Sequence, residues 1–244
     1  MKLEVKVFST PEEIALQVAE EIEILVKGNA DFNRDTFLSL SGGNTPKTLF
    51  GKLADDFKTR IEWKKLHLFW GDERCVPPGD DQSNYGMTKD YLLDKVTIPE
   101  ENIHRIRGEN DPKREVGRIA EEISKIVPRK NNLPQFDMAL LGLGEDGHTA
   151  SLFPGRKLKN ISEGIAGIAV HPQSGQKRIS LTLDVLNNSR QNIFMVTGEK
   201  KAGIIYNIMS TEDPGKSFPA ANIRAAEILK WYIDGEAAVE IKMP

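Results

Sequence analysis

The sequence predicts an α/β fold, a mostly parallel sheet between helical layers. Three observations carry that prediction. Short apolar runs alternate along the chain with stretches whose apolar residues recur at helical spacing. Some of these runs, such as Met138-Ala139-Leu140-Leu141, are unbroken, as suits strands covered on both faces. Several of them end in glycine-rich or charged loops, and the carboxyl ends of parallel strands are where such sheets bind ligands. With no repeat, linker or low-complexity segment, residues 1–244 are expected to form a single domain.

The elements follow in order. Leu3-Glu4-Val5-Lys6-Val7-Phe8 alternates and reads as a strand near an edge. Ser9 or Thr10 caps a helix with Pro11 at its first position and Glu12 and Glu13 in its first turn. Ile14, Val18, Ile22 and Val26 form its inner face, and Gly28 is expected to end it. Thr36–Leu40 is a second strand, running into Ser41-Gly42-Gly43-Asn44-Thr45-Pro46 and a helix carrying Leu49, Phe50 and Leu53. Leu66–Trp70 is a third strand and delivers Gly71-Asp72-Glu73-Arg74. A helix opens at Ser83 and runs through Leu93, and Asn102–Ile106 is a short extended piece. Asp111-Pro112 starts a helix with Val116, Ile119, Ile123 and Val127 inward, stopped by Pro128. Beyond Met138–Leu141, strands are expected at 165–170, 179–183, 191–197 and 228–233. A helix with Ile204, Ile205 and Ile208 follows Gly198, and Pro214 closes its region.

Composition narrows the function. A net charge of −3 with no basic block speaks against a nucleic-acid partner. The single cysteine, Cys75, excludes an intrachain disulfide. The N-terminus has no signal-peptide core, no apolar run approaches membrane-spanning length, and a cytoplasmic protein is expected.

The most informative stretch is Gly142-Leu143-Gly144-Glu145-Asp146-Gly147-His148. Its first six residues match G-x-G-x-x-G, which in dinucleotide-binding proteins opens a helix. Here Pro154 and Gly155 break the segment, and Glu163 lies before an apolar run rather than after one. The competing reading is a histidine at a strand end, suited to proton transfer near neutral pH, with Asp146 either orienting it or capping the turn. A plain glycine turn with a surface histidine also fits this stretch alone.

Ser41–Thr45 is a second candidate. Its small residues let backbone N–H groups face an anion, and a helix adds its positive end. It is not a Walker loop, and Gly215-Lys216-Ser217 lacks the leading glycine of one. The plain alternative is a βα turn with Thr45 as N-cap. Asp72–Arg74 reads as a solvated loop or as Arg74 on an anion with Asp72 near a substrate. Together with Gly198–Lys201 these make four strand ends that share one edge of a parallel sheet. Two cationic side chains, a glycine turn and a histidine suit a small phosphorylated substrate.

These blocks resemble those of a known family. Leu141-Gly142-Leu143-Gly144-Glu145-Asp146-Gly147-His148-Thr149-Ala150-Ser151-Leu152-Phe153-Pro154 looks like the signature of the 6-phosphogluconolactonases. Ser41–Pro46, Gly71–Arg74, Arg178–Thr182 and Gly198–Ala202 resemble its other blocks in order. Related glucosamine-6-phosphate deaminases and ribose-5-phosphate isomerases lack the histidine block in this form. The resemblance implies a three-layer α/β sandwich with a mostly parallel, Rossmann-like sheet, and neither metal nor organic cofactor. It implies hydrolysis of 6-phospho-D-glucono-1,5-lactone to 6-phosphogluconate in the oxidative pentose phosphate pathway. His148 would be the base, with Asp146 beside it. Arg74, Lys201 and Arg178 would anchor phosphate, and Ser41, Gly42, Gly43, Asn44, Thr45 and Asp72 would line the site. The family's lysine aligns with Lys200 or Lys201, the flanking glycine and alanine favouring Lys201. Three alternatives remain: a related isomerase or deaminase, a non-enzymatic sugar-phosphate-binding regulator, and a hydrolase with Ser41 as nucleophile. The last lacks the first glycine of G-x-S-x-G.

Overall fold

The computed structural model describes residues 1–210 and 217–240. The chain opens with strand β1 (Lys2–Phe8), helix α1 (Pro11–Ala30), β2 (Thr36–Leu40) and α2 (Asn44–Asp55). Next come β3 (Leu66–Trp70), β4 (Asp72–Arg74), α3 (Asn84–Thr88), β5 (Ile103–His104) and α4 (Pro112–Ile126). A small hairpin, β6 (Arg129–Lys130) and β7 (Leu133–Pro134), precedes β8 (Met138–Leu141). Then follow β9 (Lys159–Ser162), β10 (Ala166–Val170), β11 (Lys177–Leu181) and α5 (Leu183–Asn188). The described elements end with β12 (Gln191–Val196), α6 (Ala202–Ser210) and β13 (Ile228–Asp234).

Seven strands form the central sheet in the order β1-β13-β12-β8-β2-β3-β5, every neighbouring pair parallel. The helices flank it, as an α/β sandwich requires. β2 and β8 are buried at every residue, because both faces of the sheet are covered here. The core is one continuous cluster, with Phe194 stacked on Trp231 at 3.9 Å between ring centres.

Thr10 caps α1 by accepting from the Glu13 amide, and Asp111 caps α4 by accepting from Lys113 and Arg114. Several expectations need correction. α1 runs through Gly28 to Ala30; the left-handed residue beyond it is Asn33 (φ 53°). Thr45 does not cap α2. Its N-cap is Gly43 (φ 100°), with no side-chain bond to the first turn. The strand expected at 179–183 ends at Leu181, because Thr182 caps α5 by accepting from Val185 N. The helix from Ser83 is α-helical only through Thr88, then continues as a π-helical turn, Lys89–Leu93. Pro214 and the Gly215-Lys216 pair lie outside the described residues.

A second sheet was not anticipated. It is antiparallel, in the order β4-β11-β10-β9, so Asp72–Arg74 is a strand rather than a solvated loop. Gly71 joins the two sheets: its N–H donates to Leu40 O, and its carbonyl accepts from Leu181 N. A residue between two sheets cannot announce this in a one-dimensional pattern.

Candidate active site

The chain leaves β2 toward β3 and β5, and leaves β8 toward β12 and β13 on the other side. The connections therefore diverge between β2 and β8, which opens a crevice at their carboxyl ends. A cavity of about 760 Å³ lies there. Ser41, Gly42, Gly43, Asn44, Thr45, Asp72, Arg74, His148, Arg178 and Lys201 all line it. Asp146 stands behind His148. The four strand ends far apart in sequence do meet.

The loop after β8 is shaped around the histidine. Gly144 N–H donates to His148 O, and Gly147 N–H donates to Gly144 O, which closes a tight turn. Asp146 Oδ1 lies 2.5 Å from His148 Nδ1 and also accepts from the His148 backbone N–H at 3.1 Å. The carboxylate thus orients the ring and caps the turn at once. Burial pushes the Asp146 carboxyl up, but the imidazole and N–H of His148 outweigh it, and the net shift is downward. Phe153, itself buried, lies 5.0 Å from the His148 ring centre to centre. With Nδ1 engaged, Nε2 is the ring nitrogen left for a solute.

Gly144 is required by this packing. A Cβ there would fall 2.1 Å from His148 Nδ1 and 2.7 Å from Asp146 Oδ1, so the pair would have to separate. Gly144→Ala is therefore expected to lower turnover by about 10²-fold through misplacement of the imidazole. Steady-state kinetics beside circular dichroism checks this. A folded variant within about twofold of the parent would show that the pose of His148 does not matter.

The cationic side comes from the antiparallel sheet. Arg74 and Arg178 are direct cross-strand partners on β4 and β11. Arg74 Nη1 donates to Gln82 O at 2.7 Å, whereas its Nε is buried with no partner. Arg178 Nε donates to Gln176 Oε1 at 3.3 Å, and Gln176 Nε2 donates to Gln82 Oε1 at 2.9 Å. The two glutamines thereby tie the two arginines together. Burial lowers the Arg178 pKa, Asp72 opposes this, and Arg74 adds to the lowering. Lys201 is half-buried and Lys200 exposed; burial lowers the Lys201 pKa against the pull of Glu145 and Asp146. The first turn of α2 faces the same space, with neither a side-chain cap nor an acid in it.

The acids of this region are fixed. Asp72 is buried, accepting from Ser151 Oγ at 2.5 Å and from Asn84 Nδ2 at 3.3 Å. Glu73 accepts from the amides of Arg74, Asn84 and Tyr85 and from Ser83 Oγ, and so caps α3. Burial raises its pKa against those backbone bonds. Asn84, Ser151, Gln82 and Gln176 were not picked out by sequence. Of these only Asn84 left a trace, as a polar residue at a helix start.

Ser41 Oγ donates to Gly42 O at 3.3 Å, and no hydrogen bond joins it to His148. Thr45 Oγ1 instead pairs with Thr197 Oγ1 at 2.8 Å, linking the loops after β2 and β12. No helix begins at Gly142–Gly147, so the dinucleotide reading has no structural counterpart.

Residues 9–231 match the family model described as glucosamine-6-phosphate isomerases/6-phosphogluconolactonase. The chain is 44% identical to a 6-phosphogluconolactonase of Haemophilus influenzae over 96% of its own length and 97% of that protein's. It is 34% identical to a 6-phosphogluconolactonase of Rattus norvegicus, covering 98% of this chain and 94% of that one. Its structure is similar to that of a Trypanosoma brucei 6-phosphogluconolactonase, with a TM-score of 0.85, 25% identity and 99% of both chains covered.

Proposed function

The chain belongs to the glucosamine-6-phosphate isomerase/6-phosphogluconolactonase family, and from that membership and the cavity's chemistry we propose how it acts. It hydrolyses 6-phospho-D-glucono-1,5-lactone to 6-phospho-D-gluconate, a step of the pentose phosphate pathway. One observation carries the mechanism: an imidazole held at Nδ1 by Asp146 shares a cavity with Arg74, Arg178 and Lys201.

A lactone carbonyl is already electrophilic, so water needs chiefly a base. His148 Nε2 takes a proton from water as the oxygen attacks the carbonyl carbon. Asp146 holds the tautomer with Nε2 unprotonated and stabilises the imidazolium that forms. The tetrahedral intermediate carries an oxyanion. The Gly144 and Gly147 amides are spent inside the turn, which leaves those of Leu143 and Glu145 for that charge. The imidazolium then returns its proton to the ring oxygen as the carbon–oxygen bond breaks. Arg74, Arg178, Lys201 and the amides at the start of α2 bind the phosphate. No step needs a metal or organic cofactor.

The chain is read as one domain over 1–244 that works in the cytoplasm. No helix among the described residues is long and apolar enough to cross a membrane.

Proton release by purified protein on the phosphorylated lactone, above the spontaneous rate, tests the activity. No rate above background would defeat the reading. Ser41→Ala separates it from a serine hydrolase. Its turnover is expected to stay within about tenfold of the parent, the worth of one neutral hydrogen bond. Mass spectrometry that trapped an acyl group on Ser41 would instead make that serine the nucleophile.

A further inference from the structure

Among the described residues, strand β1 is an open edge of the central sheet. Its seven residues pair with β13 in unbroken parallel register from Lys2↔Ile228 to Phe8↔Asp234, without a bulge or a proline. The other described edges are poorer templates. β5 has two residues, β4 three, and β9 pairs with a register shift. Long regular edges are commonly blunted by such devices, and β1 has none of them beyond its charges.

Backbone direction and side-chain charge choose the same partner for this edge. Lys2 N–H donates to Glu227 O. With a period of two, the N–H and C=O groups of residues 2, 4 and 6 face β13, and those of Leu3, Val5 and Val7 face outward. Leu3 and Val7 also leave 59% and 38% of their surface exposed, on one face with Val5. Lys2, Glu4 and Lys6 lie on the other face, where Lys6 Nζ is 2.9 Å from Glu4 within the chain.

We propose that β1 pairs antiparallel with β1 of a second copy of this chain, about a two-fold axis at Val5. That register sets Leu3 opposite Val7 of the second copy and Val5 opposite its counterpart. All three outward residues then form hydrogen-bonded pairs. It also sets Glu4 opposite Lys6 twice, once in each direction, and covers the exposed valine and leucine with their own kind. Moving the axis to Glu4 places Glu4 on Glu4 and Lys2 opposite Lys6. Moving it to Lys6 places Lys6 on Lys6. Moving it to Leu3 sets Lys2 opposite Glu4 but leaves Val7 without a partner, so only the Val5 register pairs all three outward residues and also opposes unlike charges. The result is a continuous sheet across two copies, with both crevices at a distance from the interface.

Sedimentation of the full chain over a wide concentration range, beside lactone turnover as a check on folding, tests this. The parent is expected to show a reversible monomer–dimer equilibrium. Glu4→Lys alone, or Lys6→Glu alone, makes both cross-strand pairs repulsive and is expected to weaken the dimer about ten- to thirty-fold. The double variant Glu4→Lys/Lys6→Glu restores opposite charges and is expected to recover the dimer. An equimolar mixture of the two single variants is expected to form a heterodimer. Val5→Pro removes an outward N–H without touching the β13 ladder, and is expected to abolish association while turnover persists. A parent that stays monomeric at every concentration overturns the proposal. So does a dimer indifferent to the single reversals or not recovered by the double one. Because β1 is remote from the cavity, these outcomes are independent of the lactonase reading.

Discussion

His148→Ala is expected to lose about 10²–10⁴-fold in lactone turnover, the usual cost of removing a general base. The fold should survive, since the His148 ring is partly exposed and its contacts are with Asp146 and the ring of Phe153. Asp146 keeps the backbone N–H of residue 148 as a donor, so the turn retains its cap. The loss should appear in kcat, because the imidazole acts on the reacting water rather than on the phosphate. The lactone opens spontaneously, and that background must be subtracted. Thermal unfolding of the variant should match the parent closely. Turnover near the parent's would remove His148 from the chemistry and return it to a surface turn.

The second large effect concerns the cations. Charge-assisted contacts to phosphate are commonly worth about 1.5–3 kcal/mol. Arg74→Met or Lys201→Met is thus expected to weaken 6-phosphogluconate binding by roughly 10- to 150-fold. Arg74→Lys should rescue only in part. A lysine cannot both donate to the Gln82 carbonyl and present a planar pair of donors to an anion. Unphosphorylated gluconolactone is the control, and its slow turnover should hardly change. Calorimetric titration with 6-phosphogluconate, beside kinetics on both lactones, reads the difference. Unchanged affinity, or equal losses on both lactones, would mean that these side chains are solvated surface charges.

Much of this was legible in the sequence, for physical reasons that differ by element. β8 is buried on both faces and so reads as an unbroken apolar run, and β2 and β3 read as short, mostly apolar runs for the same reason. Their loops carry the chemistry because a parallel sheet collects its carboxyl ends on one edge, a rule that needs no coordinates. The antiparallel sheet was not legible. β4 reads Asp72-Glu73-Arg74, a composition that suggests solvent, and becomes a strand only because β11 arrives from more than a hundred residues away. The supports of Asp72 were hidden for the same reason, since Ser151 reaches it from the loop after β8 and Asn84 from the start of α3. Gly144 was visible as a flexible turn residue. That it is glycine because a side chain would strike His148 is a fact about space.

The facing arginines on β4 and β11 have a further consequence. Like charges directly opposite on paired strands repel, so this pair is a locally frustrated part of the fold. A phosphate dianion bound between them as proposed would turn that repulsion into two attractions. Occupancy therefore acts on the equilibrium between closed and locally opened protein, not only on the chemistry. By mass action a ligand at about 100 times its dissociation constant adds roughly 2.7 kcal/mol to the state that binds it. Amides of Asp72–Arg74 and Lys177–Leu181 would then exchange with solvent more slowly in the liganded enzyme than in the free one. On the proposed binding mode, the substrate would serve as a structural member of the small sheet for as long as it stayed bound.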